Sequence, residues 1–330
     1  MECAPSGASA PTEGRKYSPG WKCSWSENRQ SKTANRKPPI ENRQSLDAET
    51  TLVALLGQPV AHSHSPLMHN TAFAEQGLNV AYAACAVAPE AVGDAVAGLR
   101  ALGFAGANVT IPHKEAVIPH LDALTERARA IGAVNTLFWD EDGRLAGDNT
   151  DAAGFRAPLE GHAEHLRGGD LLIFGAGGAA RAASYALLTG FAPARLTLAA
   201  RTPEKAKALA ADLAPFDETD TLGVVPFGEA GPAVRSARLL VNATPLGMHP
   251  ETDATPWPHL EDFSEDQIAY DLVYAPPRTR LLREAEARGA TPIGGLDMLV
   301  GQAAASYRRW TGRRMPTEAV RQALRERLDA

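Results

Sequence analysis

The string Gly175-Ala176-Gly177-Gly178-Ala179-Ala180 constrains this chain more than any other segment, because it joins a strand to a helix through a turn that few residues tolerate. Leu171 to Phe174 ahead of it read as an apolar strand, and the residues from Ala179 to Thr189 behind it as a helix that Gly190 is expected to terminate. Arg195 to Ala200 then reads as a second strand, giving a βαβ unit of about 30 residues. Gly175, Gly177 and Ala180 fit the G-x-G-x-x-(G/A) spacing. The first glycine permits the tight turn, the second lets the backbone approach a pyrophosphate, and the small third residue lets helix and strand pack closely. Free N–H groups at the helix start then face the anion. Such a unit belongs to a doubly wound parallel sheet of Rossmann type that binds a dinucleotide.

Which dinucleotide is decided at the end of the second strand, where an acidic side chain would take the ribose 2′-hydroxyl of NAD. The residues there are Ala199, Ala200, Arg201 and Thr202. No carboxylate repels a 2′-phosphate, and the planar guanidinium of Arg201 can grip one through two hydrogen bonds. Thr202 before Pro203 has the form of a helix N-cap, which turns free N–H groups toward the same phosphate, and Lys205 adds charge from the first turn. The plainer reading, a capped surface helix with solvated Arg and Lys, is compatible with this one. NADP is the expected cofactor.

The remaining punctuation extends the alternation of strands and helices. Strands are expected at Leu52 to Leu56, Ala105 to Ile111, Leu239 to Ala243 and Ile268 to Val273, and a hairpin over Val134 to Trp139 and Arg144 to Gly147 around the turn at Asp142-Gly143. Helices are expected from Ser65-Pro66, with serine as cap and proline at the first position, and over Glu115 to Ile131. With 330 residues, 44% of them hydrophobic, the chain can supply two cores. The expected fold is therefore α/β with two domains: an N-terminal α/β substrate domain over residues 49–151 and a doubly wound Rossmann NADP-binding domain over 152–294. The helices of 295–330 are expected to pack back on the substrate domain. Residues 1–48, rich in Ser, Pro, Asn, Arg and Lys with no apolar periodicity, read as a disordered tail. Glu2, Glu13, Glu27 and Glu41 argue against an organelle transit peptide, so an overlong start is the plainer expectation.

A formal charge of -6 offers no basic face for a polyanion, which argues against nucleic acid as a partner. Cys3, Cys23 and Cys85 are widely spaced and odd in number, signalling neither a disulfide framework nor a zinc cluster, and a reducing cytoplasm is expected. No apolar run approaches the roughly 18 to 20 residues that cross a bilayer, so no membrane partner is expected. His62, His64, His69 and His113 invite a metal reading, but no cysteine or carboxylate set completes a zinc pattern and hydride transfer needs none. No metal is expected.

Polar clusters close several apolar runs: Ser63-His64-Ser65-Pro66, Asn108-Val109-Thr110-Ile111-Pro112-His113-Lys114, Gly132-Ala133-Val134-Asn135-Thr136 and Gly147-Asp148-Asn149-Thr150-Asp151. Strand ends are where ligands collect in open α/β sheets, so these groups can converge on one crevice. The residues alone reach a polar small-molecule pocket facing a nicotinamide.

These clusters, followed in order by Gly175-Ala176-Gly177-Gly178-Ala179, Arg201-Thr202, Asn242-Ala243-Thr244, Tyr270-Asp271-Leu272-Val273-Tyr274 and the Gly295 to Ala303 segment, resemble the shikimate dehydrogenase family from about Leu52 to the C-terminal helices. The resemblance implies an NADP-dependent oxidoreductase that interconverts 3-dehydroshikimate and shikimate in chorismate and aromatic amino-acid biosynthesis, carried here as a homodimer. It implies that Ser63 and Ser65 hold the substrate carboxylate, that Thr110, Asn135, Asp151 and Gln302 contact ring hydroxyls, and that Tyr274 is a further substrate contact. Lys114 is implied as the proton-transfer residue, with Asp151 orienting the reacting hydroxyl. On the cofactor side it implies Gly175, Ala176, Gly177, Gly178, Ala179, Arg201, Thr202 and Lys205, together with Glu126, Thr244, Leu272 and Gly295.

When hydride leaves the carbinol carbon the hydroxyl must lose its proton, and a nearby amine can take it. Burial favours a neutral amine and a neighbouring carboxylate favours the ammonium, so the two influences oppose and the sequence leaves their balance open. Ala200 stands where the family often has Asn, which removes one hydrogen bond to the adenosine side, and Leu272 stands where some members carry Met. A quinate/shikimate dehydrogenase using NAD or both cofactors is the nearest alternative. A non-catalytic dinucleotide sensor is another, and it predicts loss of the Lys114 and Asp151 pair, which is present.

Overall fold

Residues 46–328 are described in a computed structural model of the chain, and the tail read over residues 1–48 lies outside them but for its last three residues. Before the first strand, the Asp47 carbonyl accepts the Thr50 N–H at 3.3 Å to close a turn, and its side chain accepts from Asn79 Nδ2 at 2.9 Å. The apolar run that follows is β1 (Thr51–Gly57), then α1 (Ser65–Glu75), β2 (Val80–Ala86), α2 (Val92–Ala101) and β3 (Gly106–Val109). β4 (Ala123–Leu124), α3 (Glu126–Ile131), β5 (Thr136–Trp139) and β6 (Leu145–Asp148) complete a first sheet of order β2-β1-β3-β5-β6-β4. β1 runs parallel to β2 and β3, while β5 is antiparallel to both β3 and β6, the latter through the expected hairpin.

Two local expectations in this region are corrected. The helix read over Glu115 to Ile131 does not form as one element. Asp122 accepts the Leu145 N–H at 2.8 Å and the Arg100 guanidinium at 2.7 Å, which draws the chain into β4 beside β6. Thr125 then caps a new helix, its hydroxyl accepting the Ala128 N–H at 3.2 Å, so a strand pairing and a cap override the periodicity. Ser65 is the first residue of α1 rather than its cap; the Ser63 hydroxyl accepts the Ser65 N–H at 3.2 Å.

α4 (Thr150–Arg156) and α5 (Ala163–Leu166) lead into a second sheet. It comprises β7 (Asp170–Phe174), α6 (Gly178–Phe191), β8 (Arg195–Ala200), α7 (Pro203–Leu213), β9 (Leu222–Pro226), α8 (Gly231–Ser236), β10 (Ala237–Asn242), β11 (Ile268–Asp271), α9 (Arg280–Glu286) and β12 (Thr291–Ile293). The order β12-β11-β10-β7-β8-β9, parallel throughout, is doubly wound and reverses direction between β7 and β10. Gly190 does not end α6: the helix runs to the buried Phe191 and stops at Ala192, whose φ of 44° is left-handed. Burial of the Phe191 ring outweighs the helix-ending preference of glycine.

β1 shows why the first sheet is two-faced. Its alternate residues Ala54 and Leu56 pack with Val92, Val96 and Leu99 of α2, while Val53 and Leu55 face the other way. That other face is covered by Met68 and Phe73 of α1, by Val300, Ala303 and Tyr307 of α10 (Gly295–Thr311), and by Val320 and Leu324 of α11 (Thr317–Leu328). Each fully buried aliphatic side chain there contributes about 1.5 to 3 kcal/mol relative to exposure. α4 crosses α10 at backbone contact: a Cβ on Gly301 would stand 3.0 Å from Gly154 Cα, and one on Gly154 would stand 2.5 Å from the Gln302 nitrogen. No helix among the described residues is long and apolar enough to cross a membrane.

Candidate active site

A cavity of about 270 Å³ opens where the C-terminal ends of both sheets meet. Ser63 and Ser65 reach it from the turn into α1, Thr110 and Lys114 from the loop after β3, and Asn135 from the residue before β5. Asp151 lines it from the first turn of α4, Tyr274 from the loop after β11, and Gln302 from α10. Every substrate-side residue singled out from the sequence thus faces one space.

The Lys114 ammonium donates to Asp151 Oδ2 at 2.8 Å, and the Asn135 amide donates to Asp151 Oδ1 at 2.8 Å. Both oxygens of the carboxylate are therefore occupied, with the lysine side chain 30% and the aspartate 15% exposed. Local structure explains the meeting. Asn149 caps α4 by accepting the Ala152 N–H, which sets Asp151 in the first turn. On the facing side the Lys114 carbonyl accepts the Val134 N–H at 2.7 Å, and the buried His113 ring contacts the Val87 carbonyl at 2.7 Å. Lys114 is anchored on both sides of its own Cα.

Beneath the Gly147 to Asp151 segment, Asp148 is fully buried. Burial would raise its pKa, but the Arg127 fork, at 3.0 and 2.7 Å, with Arg309 at 2.9 Å and Thr125 at 2.9 Å, outweighs it and holds the carboxyl below the usual range. At the opposite wall burial pushes the Tyr274 hydroxyl up, and its ring meets His64 edge-on with centroids 5.9 Å apart.

The cofactor side begins at the turn between β7 and α6. Gly175 has φ +117°, and a Cβ there would stand 2.9 Å from the Ala243 carbonyl, so only glycine fits. Thr244 lies against the same glycine, and Gly177 and Gly178 face open space at the start of α6, as an anion cradle needs. Ala179, Leu272 and Gly295 form the cavity wall on this side. Arg201, Thr202 and Lys205 are exposed where β8 gives way to α7, and Thr202 holds the N-cap position without a side-chain cap bond. With no carboxylate at the β8 end, these residues fit a dinucleotide carrying a 2′-phosphate. Glu126 is not brought to the cavity; it is exposed in the first turn of α3.

Two family models match the chain, the shikimate dehydrogenase substrate binding domain over residues 55–137 and the shikimate 5'-dehydrogenase C-terminal domain over residues 295–325. A shikimate dehydrogenase (NADP(+)) of Salinibacter ruber is 63% identical over 282 residues, covering 85% of this chain and 99% of the relative. The chain belongs to the shikimate dehydrogenase family. Among solved structures of the family, the shikimate 5-dehydrogenase of Thermus thermophilus in complex with NADP(H) and shikimate is 41% identical, with TM-score 0.73 over 84% of this chain and 99% of the other. A quinate dehydrogenase from Corynebacterium glutamicum in complex with NAD has TM-score 0.78 at 30% identity, over 84% of this chain and 99% of the other, so the backbone alone does not separate the two activities.

For a shikimate dehydrogenase family chain, the sequence reading left out five cavity residues: Leu55, Asn108, Val109, Met298 and Leu299. Asn108 carried a signal, since it opens the same motif as Thr110 and Lys114. The apolar residues carried only the periodicity of a strand or helix. Among the described residues no three His, Cys, Asp or Glu side chains converge as metal ligands. His69 is instead stacked on Tyr82 at 4.6 Å and His113 is spent on Val87.

Proposed function

We propose that this protein is an NADP-dependent shikimate dehydrogenase, reducing 3-dehydroshikimate reversibly to shikimate in the biosynthesis of chorismate and the aromatic amino acids. The observation that carries the reading is the 2.8 Å contact between Lys114 Nζ and Asp151 Oδ2 inside a cavity walled by Ala179, Leu272 and Gly295. Bound NADP would supply the hydride chemistry, held by the turn between β7 and α6. Its pyrophosphate would lie on the N–H groups after Gly175, and its 2′-phosphate against Arg201, Thr202 and Lys205.

On the substrate side, Ser63 and Ser65 hydroxyls at the start of α1 bind the carboxylate of the ring acid, and Thr110, Asn135 and Gln302 bind its hydroxyls. Tyr274 closes the far wall. Asp151 accepts from the reacting hydroxyl and holds Lys114 beside it. In the oxidation direction Lys114 takes the hydroxyl proton as hydride departs; in reduction it returns that proton to the oxygen of the new alcohol. Residues 49–151 with 295–330 serve as the substrate domain and residues 152–294 as the NADP domain. We extend the proposal to a homodimer, checked by sedimentation, and to the cytoplasm.

The test mixes pure protein with shikimate or quinate and with NADP or NAD, and follows reduced nicotinamide by absorbance. Shikimate with NADP is expected to be the best pair. Quinate with NAD as the best pair would transfer the protein to the sister activity, and no turnover in any mixture would leave a dinucleotide sensor.

A further inference from the structure

Behind the Lys114–Asp151 pair lies a buried cluster of hydroxyls and amides of which the reaction scheme uses only Asn135. Its centre is Thr136 on β5, fully buried and outside the cavity lining. Thr136 Oγ1 stands 3.0 Å from Asn135 Oδ1, 3.1 Å from Asn108 Nδ2, 3.2 Å from Thr150 Oγ1 and 2.8 Å from Ser306 Oγ of α10.

Groups with a single role set the direction of these bonds. The Asn135 backbone carbonyl can only accept, and it takes Asn108 Nδ2 at 3.0 Å. That orients the Asn108 amide, leaving its Oδ1 to accept the Tyr82 hydroxyl at 2.8 Å. At the other end the Thr150 N–H can only donate, and it meets Asn135 Oδ1 at 2.7 Å. Asn135 Oδ1 is thereby the accepting side, the Thr136 and Thr150 hydroxyls donate to it at 3.0 and 3.1 Å, and the NH2 group turns to Asp151 Oδ1. Tyr82, Asn108, Thr136 and Asn135 form one run of donors ending on the Asp151 carboxylate, and aligned hydrogen bonds in a buried setting polarise one another. A reversed Asn135 amide would set its oxygen against a carboxylate oxygen, so what holds Oδ1 inward also holds Asp151 in place.

We propose that Thr136 is a positioning residue for the reaction: its buried hydroxyl pins Asn135 Oδ1, keeps the Asn135 NH2 on Asp151, and so fixes the carboxylate that faces Lys114 Nζ. The kinetic consequence rests on the dehydrogenase reading; the geometric one does not. Thr136→Val keeps the volume and branching and deletes the hydroxyl, whereas Thr136→Ser keeps the hydroxyl and deletes a methyl group. Thr136→Val is expected to lower kcat for shikimate oxidation about tenfold with KM for shikimate within about threefold, because misplaced reacting groups lose turnover more than binding. Thr136→Ser is expected to stay within about threefold of the parent kcat even where it is the less stable variant. The Asn135 side-chain NH2 protons, followed by NMR, are expected to exchange with solvent faster in Thr136→Val than in Thr136→Ser or the parent protein. A Val variant with parental kcat, or a Ser variant as impaired as the Val variant, overturns the proposal. A parent protein that does not oxidise shikimate sinks the dehydrogenase reading alone. The exchange comparison then decides the positioning role: faster exchange in Thr136→Val supports it and unchanged exchange overturns it.

Discussion

Lys114 illustrates how little of a reactive side chain's position is its own doing. Its carbonyl is tied to Val134 and the ring of its neighbour His113 to Val87, so the amine is delivered to Asp151 by one backbone and one side-chain anchor. Replacing it tests the chemistry rather than the scaffold. Lys114→Ala is expected to fold and bind NADP nearly as before and to lose about a hundredfold or more in turnover, the ordinary consequence of removing a general acid/base. Steady-state rates with shikimate and NADP check it, and near-parental turnover would mean that another group moves the proton. Six of the eight substrate-side cavity residues were legible because each lies in a short polar motif at the end of an apolar run, while Tyr274 and Gln302 came from the resemblance alone. Leu55 and Met298 were not legible, because an apolar side chain on a cavity wall looks in sequence like any other core residue. Glu126, expected on the cofactor side from the resemblance alone, is exposed in the first turn of α3 and, like Arg201 and Lys205, does not line the cavity.

Among elements, the crossing of α4 over α10 places Asp151 and Gln302 on the same cavity. A Cβ on Gly154 would lie 2.5 Å from the Gln302 nitrogen and 2.7 Å from the Met298 carbonyl, both backbone atoms with no room to give. Gly154→Ala is expected to force the helices apart, lowering stability by about 1 to 3 kcal/mol as overpacking does, and to raise KM for shikimate through the displaced Gln302. Denaturant titration and KM measurements check it, and an unchanged pair of values would mean that the helices can separate freely. The four central strands of the second sheet were readable because glycine turns and apolar runs agree there, whereas the edge strands β9 and β12, short and partly exposed, were not expected. The stretch from Glu115 to Ile131 was not readable, since the bond from Leu145 to Asp122 that pulls out β4 joins residues distant in the chain and leaves no local mark.

At the scale of the whole molecule, two buried groups set opposing demands on pH. Burial pushes the His69 ring down to about 3 from its ordinary 6.5, against a smaller opposing effect of Asn108. Burial pushes the Asp271 carboxyl up to about 6 from 3.8, beyond what hydrogen bonds from Thr279, Val273 and Asn242 pull back. For His69 the folded value is the lower one, so stability is lost as pH falls below the unfolded value; for Asp271 it is the higher one, so stability is lost as pH rises toward the folded value. Between about pH 4 and pH 6 the two slopes, each on the order of 1 kcal/mol per pH unit, have opposite sign and offset one another. Denaturant midpoints of the parent protein are expected to be nearly level across that window. Those of His69→Phe are expected to fall as pH rises through it, and midpoints that rise instead would remove Asp271 from the account.

The covering of β1 by α10 and α11 has a consequence for biosynthesis. Val53, Leu55, Met68 and Phe73 emerge from the ribosome well before their apolar partners Tyr307, Val320 and Leu324, which follow the whole second sheet in the chain. The sheet made first therefore finishes folding last, and its nascent form shows an oily face until α10 and α11 have been made, the kind of surface that holding chaperones grip.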